Sequence, residues 1–162
     1  MKKKLLILII ISIGIYYFYP TKKLGNHEIT KIEVYKHKRK LIVYAGSKAV
    51  NEYTISLGFQ PKGKKVKEGD EKTPEGNYYI DAKNDKSSCY KNLGVSYPNA
   101  SDRANNYTGG LIKIHGILNG FGWVGKFHRF YDWTNGCMAV TNQEMEELYR
   151  HVPVGTPLII YP

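Results

Sequence analysis

Short runs of apolar residues, many of them β-branched or aromatic, alternate with polar positions over most of this chain. Such runs, bounded by Gly, Asn, Lys or Pro, are typical of β-strands. They predict strands at residues 29–36, 41–45, 52–58, 78–80, 95–97, 111–115 and 157–162. Because only short turns at 37–40 and 46–48 separate the first three, the domain is predicted to open as an antiparallel meander.

One segment near the C-terminus has a helical pattern instead. Thr141 and Glu144 form a capping box, and apolar residues recur after it at helical spacing as far as Val152. Polar residues dominate 60–76, which predicts a long exposed loop. The pattern as a whole predicts a mainly β fold with one or two packed helices.

Residues 5–19 form an apolar run broken only by Ser12 and Gly14 and preceded by three lysines, which is the composition of an export segment. The first alanine of the chain is Ala45, so the run lacks a small-residue cleavage site. The run is shorter than the roughly 20 residues that span a bilayer comfortably, but flanking Tyr and Lys can extend it into the interfaces. We therefore expect an uncleaved inner-membrane anchor and tether at 1–26 and a periplasmic domain at 27–162.

The chain has 24 basic and 14 acidic residues, a net charge of +10. Five lysines flank the apolar run, which leaves 19 basic residues against 14 acidic ones in the remainder. The basic residues do not cluster with stacking aromatics, so nucleic acid is not indicated as a partner. The charge favours attraction to an anionic polymer, such as a cell-wall glycan, or to a lipid surface.

Two cysteines, Cys89 and Cys137, admit two interpretations. An exported domain can form a disulfide. Alternatively, Cys137 follows small residues at a turn, and His115, 22 positions upstream, can take the proton of a nucleophilic thiol. Backbone amides near Gly136 and Cys137 can then bind an oxyanion. The residue chemistry alone leaves both interpretations open.

The order of these motifs resembles a known family. In the L,D-transpeptidases with the YkuD catalytic domain, a His-Gly pair is followed after a loop by Ser/Thr-x-Gly-Cys, and this chain has I-H-G at 114–116 and T-N-G-C at 134–137. Further likeness lies at 70–76, with K-T-P-E-G, at 95–102, with S-Y-P-N, and at 152–162. The resemblance covers about residues 29–162 and implies a YkuD-like β-sandwich catalytic domain after the N-terminal anchor.

The resemblance implies that Cys137 is the acyl-accepting nucleophile, that His115 is its base, and that the Gly116 carbonyl orients the imidazole. It further implies that Thr134, Asn135 and Gly136 shape the turn that carries the nucleophile. Apart from the resemblance, His128 and Arg129 in the loop at 116–133 can bind a stem-peptide carboxylate, with a surface position for His128 as the alternative. Trp133 can line a groove for an extended peptide or pack within the loop. No cofactor and no metal are implied.

Two features depart from the family pattern. Many members carry Arg two places after the cysteine, where this chain has Ala139. The loop at 116–133, here called the lid loop, has eighteen residues, is slightly long for the family, and is rich in Gly and aromatics.

The function implied by the resemblance is acyl transfer in peptidoglycan, with a role in wall biogenesis and cell shape. Cys137 would form a thioester with a stem peptide and pass it to an amine on another stem or on an envelope protein. Transfer to water, as an L,D-carboxypeptidase or amide hydrolase, and an inactive wall-binding module are the alternatives.

Overall fold

A computed structural model describes residues 2–162, and of the first three residues no side chain is described. The helices of this part are α1 (Lys2–Phe18), α2 (Ala100–Ala104) and α3 (Asn142–His151), with 3₁₀ segments at Lys36–Lys38 and Gly122–Phe130. Its strands are β1 (Lys31–Tyr35), β2 (Lys40–Ala45), β3 (Lys48–Thr54), β4 (Gly76–Ser87), β5 (Tyr90–Val95), β6 (Lys113–His115), β7 (Met138–Ala139) and β8 (Pro157–Tyr161). The mainly β class and its few helices are confirmed.

The strands form a continuous sheet in the order β3-β2-β1-β8-β4-β5-β6-β7. The β1–β8 and β6–β7 pairs are parallel, and the other neighbours are antiparallel. The chain just after β3 bridges the far end of the order, because Ser56 exchanges backbone hydrogen bonds with Ala139 and Gly58 bridges Thr134. The predicted sandwich is therefore one curled sheet whose two edges meet at residues 134–139, on both sides of Cys137.

The core fills the inside of this curl, where alternate strand residues are buried. Ile32 and Val34 of β1, Leu41 and Val43 of β2 and Leu158 of β8 are fully buried there. The predicted helix is present as α3, and it begins at the capping box: Thr141 Oγ1 accepts from the Glu144 backbone N–H while Glu144 Oε2 accepts from the Thr141 N–H. Its buried face joins the core through Met145 and Leu148.

Three strand predictions differ from the structure. The strand expected at 52–58 is β3, which begins earlier, at Lys48, and ends at Thr54. The strand expected at 95–97 is β5, which ends where that prediction begins, and the strand expected at 78–80 is β4, which continues to Ser87. The missed residues are mostly polar because the outer part of the β4–β5 hairpin is largely exposed. The sequence also contained an unrecognised signal for α2, since Asn99 and Asp102 form its capping box.

The loop expected to be exposed at 60–76 is only partly so. Thr73 and Lys65 are buried, and Lys65 pairs with Asp70 at 2.8 Å. The buried Lys36 ammonium holds the segment by donating to the Thr73 carbonyl at 2.9 Å and to Glu75 at 2.7 Å. Ionic contacts therefore draw a polar segment into the domain, which apolar patterning does not predict.

The α1 helix is apolar and contacts the lid loop at its C-terminal end, where Tyr17 stacks on Phe127 with ring centroids 5.1 Å apart. At 1.5 Å per residue its 17 residues extend about 26 Å, less than the roughly 30 Å of a bilayer core. In the part of the chain that the structure describes, no helix is both long and apolar enough to cross a membrane. The predicted membrane-spanning anchor thus lacks support in the structure.

Candidate active site

Cys137 and His115 come from adjacent strands of the curled sheet. In the parallel β6–β7 pair, Ile114 aligns with Met138 and His115 aligns with Ala139. Since residues two apart along a strand share a face, Cys137 and His115 lie diagonally across the pair on the same face. The opposite face carries Ile114 and Met138, which are fully buried. Strand register therefore brings the thiol and the imidazole together.

The imidazole of His115 is buried and held in one orientation. Its Nδ1 lies 2.6 Å from the Gly116 carbonyl oxygen. A carbonyl only accepts hydrogen bonds, so Nδ1 carries the proton and Nε2 is left with its lone pair. This is the tautomer that a general base for a thiol requires. The ring also meets Trp133 edge to face, with centroids 5.6 Å apart.

Burial sets the protonation of the pair. It raises the pKa of the Cys137 thiol, against the lowering effect of the Lys113 backbone N–H and ammonium. Burial also lowers the pKa of His115, although the Gly116 hydrogen bond opposes this. At neutral pH the resting site is therefore a neutral thiol beside a neutral imidazole, and the thiol contacts the Leu111 carbonyl oxygen at 3.6 Å.

The turn that presents Cys137 is fixed by Thr134 and Gly136. Thr134 Oγ1 donates to the Cys137 carbonyl at 2.7 Å and accepts from the Gly136 N–H at 3.1 Å. Gly136 has φ +120°, and a Cβ there would lie 2.6 Å from the Lys72 carbonyl oxygen. The K-T-P-E-G segment thus packs against the nucleophile turn. Because the Gly136 N–H is occupied by Thr134, the Cys137 amide is the candidate oxyanion donor of this pair of residues.

An apolar pocket of about 350 Å³ lies beside the pair in the lid loop. Trp133 separates it from His115, and Ile117, Phe121, Val124 and Phe127 line much of the remainder. His128, also in the lining, is buried, with Nδ1 3.1 Å from Ser56 Oγ and 3.4 Å from Trp133 Nε1. Burial, followed by the Arg129 and His115 charges, lowers the pKa of His128 to about 3.

The other predicted substrate residues are placed differently. Arg129 pairs with Glu144 at the start of α3 and is largely buried, so its guanidinium is not free in this structure for a substrate carboxylate. Asn135 is exposed at the nucleophile turn. The substrate-binding roles of Asn135, His128, Arg129 and Trp133 stay predictions.

Cys89 and Cys137 are both free thiols in the structure. Cys89 lies at the tip of the β4–β5 hairpin, and a Cβ on Gly116 would be 3.3 Å from its carbonyl oxygen. Across residues 2–162, no three metal-ligating side chains gather in one place.

Sequence reasoning missed several residues that support the site. Asp132 binds Arg39 and the Leu57 N–H, and Ser56 binds His128. These partners are far apart in the chain and leave no local signal. Lys113 did carry a signal, because it lies two residues before His115 in the same predicted strand.

Fold and site together define a mainly β domain in which a cysteine and an oriented histidine share one face of a curled sheet. The family model of the L,D-transpeptidase catalytic domain, YkuD, matches residues 29–160. The chain belongs to this family.

Individual relatives agree with this membership. YafK of Escherichia coli strain K12, a protein classed with the L,D-transpeptidases, is 31% identical over 144 residues, which cover 81% of this chain and 53% of YafK. The helical cell shape determining protein Pgp2 of Campylobacter jejuni superposes with a TM-score of 0.67 at 26% identity, covering 83% of this chain and 48% of Pgp2. Bd1075 of Bdellovibrio bacteriovorus shares the fold, with a TM-score of 0.61 at 24% identity over 87% of this chain and 50% of Bd1075. This chain therefore spans about half the length of these relatives.

Proposed function

We propose that this domain is a cysteine acyltransferase that acts on peptidoglycan stem peptides. One observation carries the proposal. The Gly116 carbonyl orients His115 so that its Nε2 is unprotonated, and His115 lies on the same sheet face as the Cys137 thiol. Family membership supports the substrate class.

In the first half-reaction, the Cys137 sulfur attacks the carbonyl carbon of the third stem residue, a diaminopimelate, while His115 Nε2 takes the thiol proton. The Cys137 amide stabilises the oxyanion. The C–N bond to the terminal D-Ala then breaks, and His115 returns the proton to the departing amine. A thioester on Cys137 and free D-Ala result.

In the second half-reaction, an amine attacks the thioester and His115 accepts its proton. An amine on another stem gives a 3→3 cross-link, and one on an envelope protein gives a covalent tether. Water in the same position gives L,D-carboxypeptidase activity. The acceptor decides between these outcomes, while the donor half-reaction is common to all three.

The test is incubation of the full-length protein in detergent with purified muropeptides, followed by mass spectrometry. We expect loss of D-Ala from tetrapeptide stems, abolished by Cys137→Ala and reduced about 10²- to 10⁴-fold by His115→Ala. Cys89→Ser is the matched control and should retain turnover. Unchanged muropeptides with folded wild type would refute the proposal and favour an inactive wall-binding module.

We propose further that the catalytic domain works in the periplasm near the inner membrane, with α1 as its membrane-facing segment. The substrate class supports this location, because peptidoglycan lies outside the cytoplasm. The apolar composition of α1 also supports it.

A further inference from the structure

A row of residues crosses four neighbouring strands on the face that carries the nucleophile. Extending the β6–β7 register by one residue places Lys113 opposite Cys137. Lys113 in turn pairs with Gly94 of β5. On β4, Asp81 lies beside Gly94, where the β4–β5 register shifts. The order across the sheet is therefore Cys137, Lys113, Gly94 and Asp81.

The Asp81 side chain lies over Gly94. A Cβ on Gly94 would lie 2.1 Å from Asp81 Oδ1, so the carboxylate occupies the space that a side chain at residue 94 would take. Because paired residues of neighbouring strands point to the same face, the Asp81 carboxylate and the Lys113 side chain share the face of Cys137. An anionic and a cationic group thus lie in line with the nucleophile.

Neither charge is neutralised by a protein partner. Among the ion pairs of the described residues, none includes Lys113 or Asp81, and the two do not pair with each other. Lys65, the other cation that acts on Cys137, is buried and already paired with Asp70. Lys113 is only partly buried and Asp81 is exposed, so both are accessible to a ligand.

Lys113 also lies within electrostatic reach of both reacting groups. Burial is the main influence on the pKa values of Cys137 and His115, and the Lys113 ammonium lowers both. Cys89 acts on Cys137 in the opposite direction. The Lys113 charge is therefore adjacent to the position at which a substrate carbonyl must bind.

We propose that Lys113 and Asp81 bind the two charges of a free α-amino-acid group on the donor substrate, the carboxylate on Lys113 and the ammonium on Asp81. This rests on the proposed function and deepens it. The donor's third residue is then a diamino acid whose side chain ends in an unmodified amino-acid group. In meso-diaminopimelate a short alkyl chain joins the reacting centre to such a group, and that chain would lie along the row from Cys137 over Gly94.

The proposal predicts weaker binding of two related donors. A stem whose side-chain carboxylate is amidated loses the Lys113 contact, and a lysine stem has no carboxylate at that end. Charge-assisted hydrogen bonds support a preference of about 10- to 100-fold for the unmodified group.

The test measures binding separately from turnover. Full-length Cys137→Ala protein is titrated calorimetrically with three tetrapeptide stems, which carry meso-diaminopimelate, its amidated form, and its form acetylated on the side-chain amine. We expect the unmodified stem to bind most tightly. Adding Lys113→Met should remove the preference over the amidated stem, and adding Asp81→Asn should remove the preference over the acetylated stem. Lys48→Met on β3 and Asp85→Asn on β4 are charge-matched controls that should keep both preferences.

A second experiment measures how the Lys113 charge affects the pKa of the Cys137 thiol. In the Cys89→Ser background, the rate of Cys137 alkylation by iodoacetamide rises with pH as the thiolate forms. Removing a cation that lowers the thiol pKa must raise that pKa, so Lys113→Met should move the curve to higher pH. Lys113→Arg should leave the curve near that of the parent.

Retention of both preferences in the Lys113→Met and Asp81→Asn proteins would overturn the proposal, as would equal binding of all three stems by the parent. If the two residues only pair with each other, both variants lose stability and neither changes selectivity, which also overturns it. Failure of the proposed function has a different result. The Cys137→Ala protein then binds the unmodified stem tightly and selectively, but the protein that retains Cys137 releases no D-Ala.

Discussion

The nucleophile turn depends on the absence of a side chain at one residue. Gly136 has a φ of +120°, in the region that disfavours residues with a Cβ, and the Lys72 carbonyl closes the space beside it. Thr134 then fixes the turn from the other side through its two hydrogen bonds. The position of the Cys137 thiol therefore follows from backbone geometry and from contact with a segment more than sixty residues earlier in the chain.

Gly136→Ala should disturb this geometry twice, by backbone strain and by collision with the Lys72 carbonyl. We expect a loss of about 1–3 kcal/mol in the free energy of unfolding and at least a tenfold loss of D-Ala release. Urea denaturation and the muropeptide assay measure the two effects.

Gly155→Ala separates the two causes. Gly155 also has a positive φ, +93°, but a Cβ there meets nothing within 4 Å. This control should lose stability by strain alone and keep turnover. Normal turnover by folded Gly136→Ala would contradict the view that this turn positions the thiol.

At the residue scale, the sequence predicted a site that contains Cys137 and His115 because their motifs are local, and their roles as nucleophile and base stay predictions. His115-Gly116 supplies both the imidazole and the carbonyl that orients it, within two residues. The pairing of Arg129 with Glu144 was not predictable from the sequence, because that contact depends on how the lid loop folds against α3. Asp81 gave no signal for a similar reason, since a register shift brings it beside Gly94.

The lid loop is an irregular element that contacts at several points hold to the body of the domain. At its start, the Ile117 N–H donates to Oδ1 of Asn142, the first residue of α3, at 2.8 Å. Near its end, Asp132 accepts from Arg39 Nε at 3.0 Å and from the Leu57 N–H at 2.9 Å. Trp133 follows at once and packs on His115. The contacts of Asp132 therefore position Trp133, which lines the apolar pocket, beside His115.

Asp132→Asn removes the ion pair with Arg39 while keeping an oxygen for the Leu57 N–H. The pair is partly buried, so we expect a loss of about 1–3 kcal/mol, between the values for exposed and buried pairs. Looser placement of Trp133 should lower D-Ala release about tenfold. Urea denaturation measures the loss of stability, and the muropeptide assay measures D-Ala release.

The exposed pair between Lys40 and Glu52 supplies the control. Its side chains are 41% and 47% exposed, so Glu52→Gln should cost less than about 1 kcal/mol and leave turnover unchanged. Equal effects of the two variants would show that Asp132 does not act through the lid loop.

At the element scale, apolar periodicity predicted the buried strands and α3 but not the elements built from polar residues. The meander β1–β3 and the closing strand β8 line the core, so their patterns follow burial. The outer half of β4 has exposed residues on both sides and therefore no alternation. The curling of the sheet was not predictable either, because the bridge between Ser56 and Ala139 joins distant segments without a hydrophobic signature.

At the scale of the whole molecule, charge and apolar surface are distributed unevenly. The net charge of +10 is shared between the lysines flanking the apolar run and the catalytic domain. The apolar residues of α1 are mostly exposed, whereas those of the domain form a continuous core. The core also includes Leu24, so the chain joins the domain before residue 26, and the predicted boundary there stays a prediction. The family match covers residues 29–160.

The proposed location can be tested on the intact chain in a Gram-negative host. If the apolar run directs export, protease added to spheroplasts should digest the catalytic domain while a cytoplasmic marker stays intact. Replacing Ile9 and Ile10 by Lys should keep the protein inside and protected, because a lysine in the middle of an apolar export segment costs about 2.5–3.5 kcal/mol. Replacing Lys22 and Lys23 by Gln is the matched control outside the run and should leave digestion unchanged. Membrane fractions washed with carbonate then show whether α1 keeps the chain attached. A domain protected in spheroplasts of the parent strain would place it in the cytoplasm and remove the peptidoglycan substrate from reach.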